Sequence, residues 1–300
     1  MDWNSRRLNA LIENALLEDK ATRDATTLAT IDPRLRASAI VIAKQDCVLA
    51  GLPCITRTLQ VFEQLDPTVI GHFEVVSHPE IFDGVHLKAR QVVAVIRASA
   101  RVILSCERVI LNLLQRLSGV ATTTRLYVEA VDGTGVKILD TRKTIPGWRT
   151  LDKYAVRCGG GENHRNDLSD GILIKNNHIS LGGGVKAVLA KAFAAHKSSQ
   201  PIEIEVRSPA ELEEALSAGA QALLVDNMTP EQVKASVQKV REFEQTLKSP
   251  RHIPVEASGG MNLENVRKFA ETGVDYISVG ALTHSVKAID MSMRITPAIT

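Results

Sequence analysis

Cysteine is scarce in this 300-residue chain. Cys47, Cys54, Cys106 and Cys158 lie far apart, and none sits in the C-x-x-C spacing of a zinc or redox motif. Reduced thiols in a cytosol are the simplest reading, so a cytoplasmic protein is expected. Long apolar runs are missing too: none reaches the ~18 residues that a membrane helix needs. The opening "MDWNSRRLNALIENALLEDK" carries acids and lacks the apolar core of a signal peptide. Charge of one sign is not in large excess, with 36 Lys and Arg against 34 Asp and Glu, a formal net charge of +2. Nucleic-acid binders usually show a strongly basic domain or stripe, so neither nucleic acid nor membrane is an expected partner. Low-complexity segments and disordered linkers are absent as well.

What is present is a soluble composition, 44% hydrophobic and 23% charged, and a rhythm in the second half. Short β-branched runs recur: "VKILD" (136–140), "GILIK" (171–175), "IEIEV" (202–206), "ALLVD" (222–226), "IPVEAS" (253–258) and "VDYISVG" (274–280). Helical patterns separate them. In "SPAELEEALSAG", Ser208 is a candidate N-cap, Pro209 takes the first helical position and Gly219 is the stop. "TPEQVKASVQKVREFEQ" and "MNLENVRKFAETG" follow the same plan. Strands apolar on both faces and alternating with helices predict a parallel sheet or an incomplete barrel.

The first hundred residues read differently. "ASAIVIAKQDCVLAGLP" and "VHLKARQVVAVIRAS" suggest an antiparallel sheet with one solvated face, and "PCITRTLQVFEQL" a helix between them. Residues 101–131 predict a long helix, interrupted near Gly119. The tail is expected to pack back on the first domain.

Positive charge is concentrated in "TRKTIPGWRTLDKYAVRCGGGENHR", from Thr141 to Arg165. It holds Arg142, Lys143, Arg149, Lys153, Arg157, His164 and Arg165, opposed only by Asp152 and Glu162. That suits a small, highly charged anion better than a polymer. "LDKYAV" reads as a helix facing the core, which makes Lys153 and Arg157 i, i+4 neighbours on what could be a solvated face. In β/α barrels functional groups gather at the C-terminal strand ends. Here those ends carry Asp140, Thr141, Arg142 and Lys143, then Lys175 with Asn176, Asn177 and His178. Glu203 and Glu205 follow on one face of their strand, then Asp226 with Asn227, Glu256 with Ser258, Gly259 and Gly260, and finally Ser278 and Gly280. Glycine-rich turns after the last strands are a recurrent phosphate cradle. Acids on neighbouring strands can hold ribose hydroxyls or Mg²⁺.

These stretches resemble one family. The block 141–179, "IEIEV", "VDNM", "VEASGGMNLENV" and "TGVDYISVGALTHS" are similar to quinolinate phosphoribosyltransferase (carboxylating nicotinate-nucleotide pyrophosphorylase). So are "EDKATRDATT" and "ERVILNLLQRLSGVAT", and the resemblance runs in order over nearly the whole chain. It implies an α/β protein: an N-terminal open-faced α/β sandwich (1–117, with 282–300 returning to it) followed by an incomplete (β/α) barrel (118–281). It implies transfer of the phosphoribosyl group of phosphoribosyl pyrophosphate to quinolinate with decarboxylation, a step of NAD synthesis that uses Mg²⁺.

The same resemblance implies roles. Arg142, His164 and Arg165 would line the quinolinate pocket with Thr141, Lys143 and Lys175, and Arg108 would come from a neighbouring subunit. Lys143, Lys175, Glu205 and Asp226 would be catalytic, with Glu205 and Asp226 at the ribose and the Mg²⁺-pyrophosphate, directly or indirectly. Ser258, Gly259 and Gly260, with Gly280, Ala281 and Leu282, would bind the 5′-phosphate. A homodimer with a shared site follows, with assembly of dimers into a hexamer left open. Where the family often shows Gly-Asp-Thr-Thr, this chain has Arg23, Asp24, Ala25, Thr26 and Thr27, and no role is assigned there. A transferase for another aromatic acid, a Schiff-base aldolase built on Lys175 and a non-catalytic phosphometabolite sensor are the alternatives.

Overall fold

The computed structural model describes residues 1–68, 72–195 and 202–298. The chain divides into two compact units, each discontinuous in sequence: 1–123 with 146–160 and 286–300, and 124–145 with 161–285.

The first unit opens with α1 (Arg6–Glu18) and α2 (Ala25–Thr30). Asp24 caps α2, accepting from the Thr27 backbone N–H at 3.0 Å and its hydroxyl at 2.5 Å. β1 (Arg36–Ala43) alternates, with Ala37, Ala39, Val41 and Ala43 buried. The short β2 (Cys47–Val48) leads into α3 (Pro53–Leu65), the helix its sequence predicts. β3 (Glu74–Val76), β4 (His86–Leu87) and β5 (Val92–Ser99) follow. β1 pairs antiparallel with β5, and on its other side with β12 (Met291–Pro297), giving the order β12-β1-β5-β3. The tail thus supplies a strand to this sheet. Leu8, Ile12 and Leu16 of α1 are buried, as are Ile55, Leu59 and Phe62 of α3, and the two helices pack together.

α4 (Ala100–Ala130) is one unbroken helix and not, as the sequence suggests, interrupted near Gly119. Gly119 is there for a close approach: a Cβ would stand 2.5 Å from the Lys287 carbonyl and 2.9 Å from Val286. α5 (Arg149–Cys158) belongs to the first unit, although its position in the chain puts it within the expected barrel segment 118–281. Arg157 is exposed, but Lys153 is buried, so the two do not share a solvated face. Asp152, also buried, accepts a two-pronged bond from Arg116 at 3.1 and 2.9 Å.

The second unit carries six parallel strands among the described residues: β6 (Lys137–Leu139), β7 (Leu173–Ile174), β8 (Glu203–Val206), β9 (Ala222–Asp226), β10 (Val255–Ser258) and β11 (Tyr276–Ser278). Their order is β6-β11-β10-β9-β8-β7, an open barrel wall with β6 and β7 at its edges. The intervening helices are α6 (Asn176–Gly182), α7 (Val185–Ala195), α8 (Pro209–Ser217), α9 (Pro230–Thr246), α10 (Val266–Ala270) and α11 (Ala281–His284). Ser208 caps α8 through the Glu211 N–H, and Thr229 with Gln232 forms a reciprocal cap on α9. The "MNLENVRKFAETG" helix is shorter than its pattern. Asn262 accepts from the backbone N–H groups of Glu264 and Asn265 and makes a turn of the first residues.

Candidate active site

Beyond β6 the chain is clipped down by a buried carboxylate. Asp140, fully buried, accepts from the His164 backbone N–H at 3.0 Å and from the Asn163 side chain at 2.6 Å. Glu162 bridges Leu139 in parallel, its N–H donating to Ile138 O at 2.8 Å, so the "ENHR" loop runs along the free edge of β6. Asp140 was visible in the sequence only as a strand-end acid; here it holds the loop that presents His164 and Arg165.

Around the mouth of the barrel, Lys143 is fixed through its backbone. Its N–H donates to Thr141 Oγ1 at 3.1 Å, and its carbonyl accepts from Thr283 Oγ1 at 2.9 Å. Gly280 makes room for its side chain, since a Cβ there would lie 2.9 Å from Lys143 Cδ. Lys175 ends β7 and is exposed; its Nζ is 3.6 Å from Glu205 Oε2, while Asn176 N–H reaches Glu205 Oε1 at 3.3 Å. Asp226 ends β9. Asn227 after it adopts a left-handed backbone (φ 55°) and donates its N–H to Ser258 O at 3.0 Å. That locks the β9 and β10 ends together and leaves no space beside Gly259 (φ +97°): a Cβ there would fall 2.3 Å from Asn227 Oδ1 and 2.9 Å from its backbone N.

These ends enclose a cavity of about 610 Å³. Thr141, Arg142, Lys143, His164, Arg165 and Lys175 line it together with Glu205, Asp226, Ser258, Gly259 and Gly260, joined by Asn176, Asn227, Glu256 and Ser278. Gly280, Ala281 and Leu282 are not in that lining. Gly280 touches it only through Lys143, and Leu282 is fully buried, so that turn offers backbone alone. Arg108 is exposed on α4 in the first unit.

Two features of the lining call for an anion. The Arg142 Nε–H is buried with no hydrogen-bond partner among the described residues, which costs ~1–3 kcal/mol, or more for a charged group, until something accepts from it. Arg165 lies close enough for burial first, and then the Arg142 charge, to depress its pKa. Two guanidinium groups held near one another and partly dehydrated are stabilised by a carboxylate or phosphate between them. Glu205 (5% exposed) and Asp226 offer hard oxygen donors in the same lining, a donor set that fits Mg²⁺.

His164, expected at the quinolinate pocket, lines the cavity and is also held by protein groups. Its Nδ1 lies 2.7 Å from the Arg165 backbone N, a contact that is a hydrogen bond in the neutral ring with its proton on Nε2. Nε2 faces Glu203 Oε2 at 3.2 Å and Glu256 Oε2 at 3.4 Å. Burial lowers the ring's pKa, and the hydrogen bonds and charges of the two carboxylates more than reverse this, raising it. Burial and the Glu256 charge push Glu203 up. His164, Glu203 and Glu256 bring potential metal-ligating atoms within 4.8 Å of one another. A second cavity, of about 420 Å³, reaches His164, Arg165 and Glu256 from the strand starts, past Glu203, Ala222, Pro254 and Tyr276.

Residues 24–118 match the model of the quinolinate phosphoribosyl transferase N-terminal domain, and residues 120–294 that of its C-terminal domain. The chain belongs to the quinolinate phosphoribosyltransferase family. It is 42% identical over 293 residues to a probable carboxylating nicotinate-nucleotide pyrophosphorylase of Bacillus subtilis, covering 98% of this chain and 95% of the relative. A carboxylating nicotinate-nucleotide pyrophosphorylase of Mycobacterium leprae is 39% identical, with 95% of each chain covered. Among solved structures, NadC from Streptococcus pyogenes superposes with a TM-score of 0.88 at 36% identity, over 100% of both chains. For a phosphoribosyltransferase of this family, sequence reasoning missed the roles of Asp140, Glu203 and Glu256. The alternation in "IEIEV" does put Glu203 on the same face as Glu205, but nothing local shows that His164 reaches it.

Proposed function

We propose that the chain performs its family's reaction: quinolinate and phosphoribosyl pyrophosphate give nicotinate mononucleotide, pyrophosphate and CO₂. The observation that carries this reading is the buried Arg142 Nε–H, without a hydrogen-bond partner among the described residues, beside Arg165 in a cavity that Glu205 and Asp226 also line. A dicarboxylate satisfies the cations, and a ribose with its leaving pyrophosphate takes the acids.

Arg142 and Arg165, with Thr141, Lys143 and Lys175, hold the quinolinate carboxylates and set the ring nitrogen against the ribose C1. The nitrogen lone pair forms the bond to C1 as the C1–O bond to pyrophosphate breaks. Glu205 and Asp226 stabilise the positive charge that develops on the ribose, and Lys143 and Lys175 the negative charge leaving with pyrophosphate. Mg²⁺ would be held by Glu205 and Asp226, directly or through the pyrophosphate, and would supply charge neutralisation for that leaving group. The 5′-phosphate sits at Ser258, Gly259 and Gly260, with the Gly280–Leu282 backbone beside them. In the nucleotide the ring nitrogen is a cationic pyridinium. The bond from C2 to its carboxylate then breaks, its electron pair stays on C2 beside that cation, and C2 takes a proton from water.

Arg108 serves the site of a second copy, so the working unit is a homodimer. Mixing inactive Arg108→Ala with inactive Glu205→Gln protein should restore activity at about a quarter of the sites, the share expected for random exchange; no recovery would contradict a shared site. Free cysteines fit a reducing cytosol, and no described helix is long and apolar enough to cross a membrane. The test of the reaction is to mix purified protein, quinolinate, phosphoribosyl pyrophosphate and Mg²⁺ and follow both products. Nicotinate mononucleotide and CO₂ in equal amounts support the assignment. Binding without turnover would move it to a sensor, and turnover after chelation of Mg²⁺ would remove the metal from its role.

A further inference from the structure

We propose that Glu203 and Glu256 are positioning residues: from two different strands they clamp the His164 ring, and through it fix the backbone that aims Arg165 at the dicarboxylate. This rests on the reading of the site given above. Both ring nitrogens of His164 are already used, Nε2 by the two carboxylates at 3.2 and 3.4 Å and Nδ1 by the Arg165 N–H at 2.7 Å. The ring therefore acts as a strut between the barrel interior and the loop, at the wall of the cavity it also lines. Its own backbone N–H is tied to Asp140 at 3.0 Å, so residues 164 and 165 are held from two sides.

Glu256 is 3% exposed, and its Oε1 has no hydrogen-bond partner among the described residues. Buried carboxylates are expensive, and apolar residues of similar volume often replace such groups without loss of stability. A barrel interior that keeps two of them, converging on one imidazole, is keeping an orientation. Glu205, two residues along β8, faces the reaction cavity, whereas Glu203 lines the cavity at the strand starts. One strand thus supplies a group for the substrate and a support for the loop above it.

Replacing the acids with leucine removes the acceptors at similar volume; replacing them with glutamine keeps an oxygen for the Nε2–H. Steady-state kinetics on the whole protein should show Glu203→Leu and Glu256→Leu raising KM for quinolinate on the order of 10-fold, with KM for phosphoribosyl pyrophosphate unchanged. Glu203→Gln and Glu256→Gln should recover most of the loss. Crystal structures of the same variants give a readout independent of turnover. The contact of His164 Nδ1 with Arg165 N should persist in the wild-type and Gln proteins and break in the Leu proteins. Equal rises in both KM values with a lowered Tm, failure of Gln to rescue, or an unmoved ring in the Leu variants would each overturn the proposal. If the wild-type protein turns over no quinolinate, the functional reading fails, and the ring geometry alone decides the positioning claim.

Discussion

Arg142 is the residue whose removal should separate the two substrates. Its buried Nε–H lacks a partner among the described residues, so a ligand carboxylate has an unanswered donor to meet. A charge-assisted bond is worth ~1.5–3 kcal/mol, which corresponds to a rise of roughly 10- to 150-fold in KM for quinolinate in Arg142→Ala. KM for phosphoribosyl pyrophosphate should stay within about threefold, as measured by varying each substrate at saturation of the other; equal losses would remove Arg142 from the pocket. Most of the cavity's charged residues were legible in the sequence because they end strands, and strand ends are where a barrel collects its chemistry. The supports were not. Asp140 reaches His164 across 24 positions and His164 reaches Glu203 across 39, pairings that no local period encodes.

At the scale of elements, strands and caps were readable for a physical reason. Parallel strands buried on both faces must be apolar runs, and helix starts need side-chain acceptors, so β6 to β11, α8 and α9 announce themselves. Gly119 misled because glycine is a poor helix former. Its cause lies in the Lys287 carbonyl, far away in sequence. Asp24 offers a quantitative check on the region where the chain departs from its family's usual residues. The Thr27 side-chain and backbone hydrogen bonds lower its pKa from 3.8. A lowered folded-state pKa means stability that is present above about pH 4 and lost as pH falls through the folded value. Asp24→Ala should therefore cost about 1 kcal/mol at pH 7 by urea unfolding, and the difference from wild type should shrink below pH 4. A cost that does not change with pH would show that the Asp24 charge contributes nothing to the cap.

For the whole molecule, the sequence shows two architectures but not how the chain is shared between them. A helix in the middle of the barrel segment, α5, joins the first unit, and the tail adds β12 to the first sheet. The concentration of cations around α5 marks a ligand site in the sequence and does not say which unit the helix joins. The proposed function makes selectivity for an anion with two carboxylates the task of the Arg142 and Arg165 pair, both in the second unit. The most direct measurement is kcat/KM for quinolinate against nicotinate in the wild-type protein with saturating phosphoribosyl pyrophosphate and Mg²⁺. Loss of one carboxylate leaves charged donors unpaired, so a preference for quinolinate on the order of 10²-fold or more is predicted. A ratio near one would contradict the account, leaving the fold and phosphate cradle in place but removing the two-carboxylate pocket.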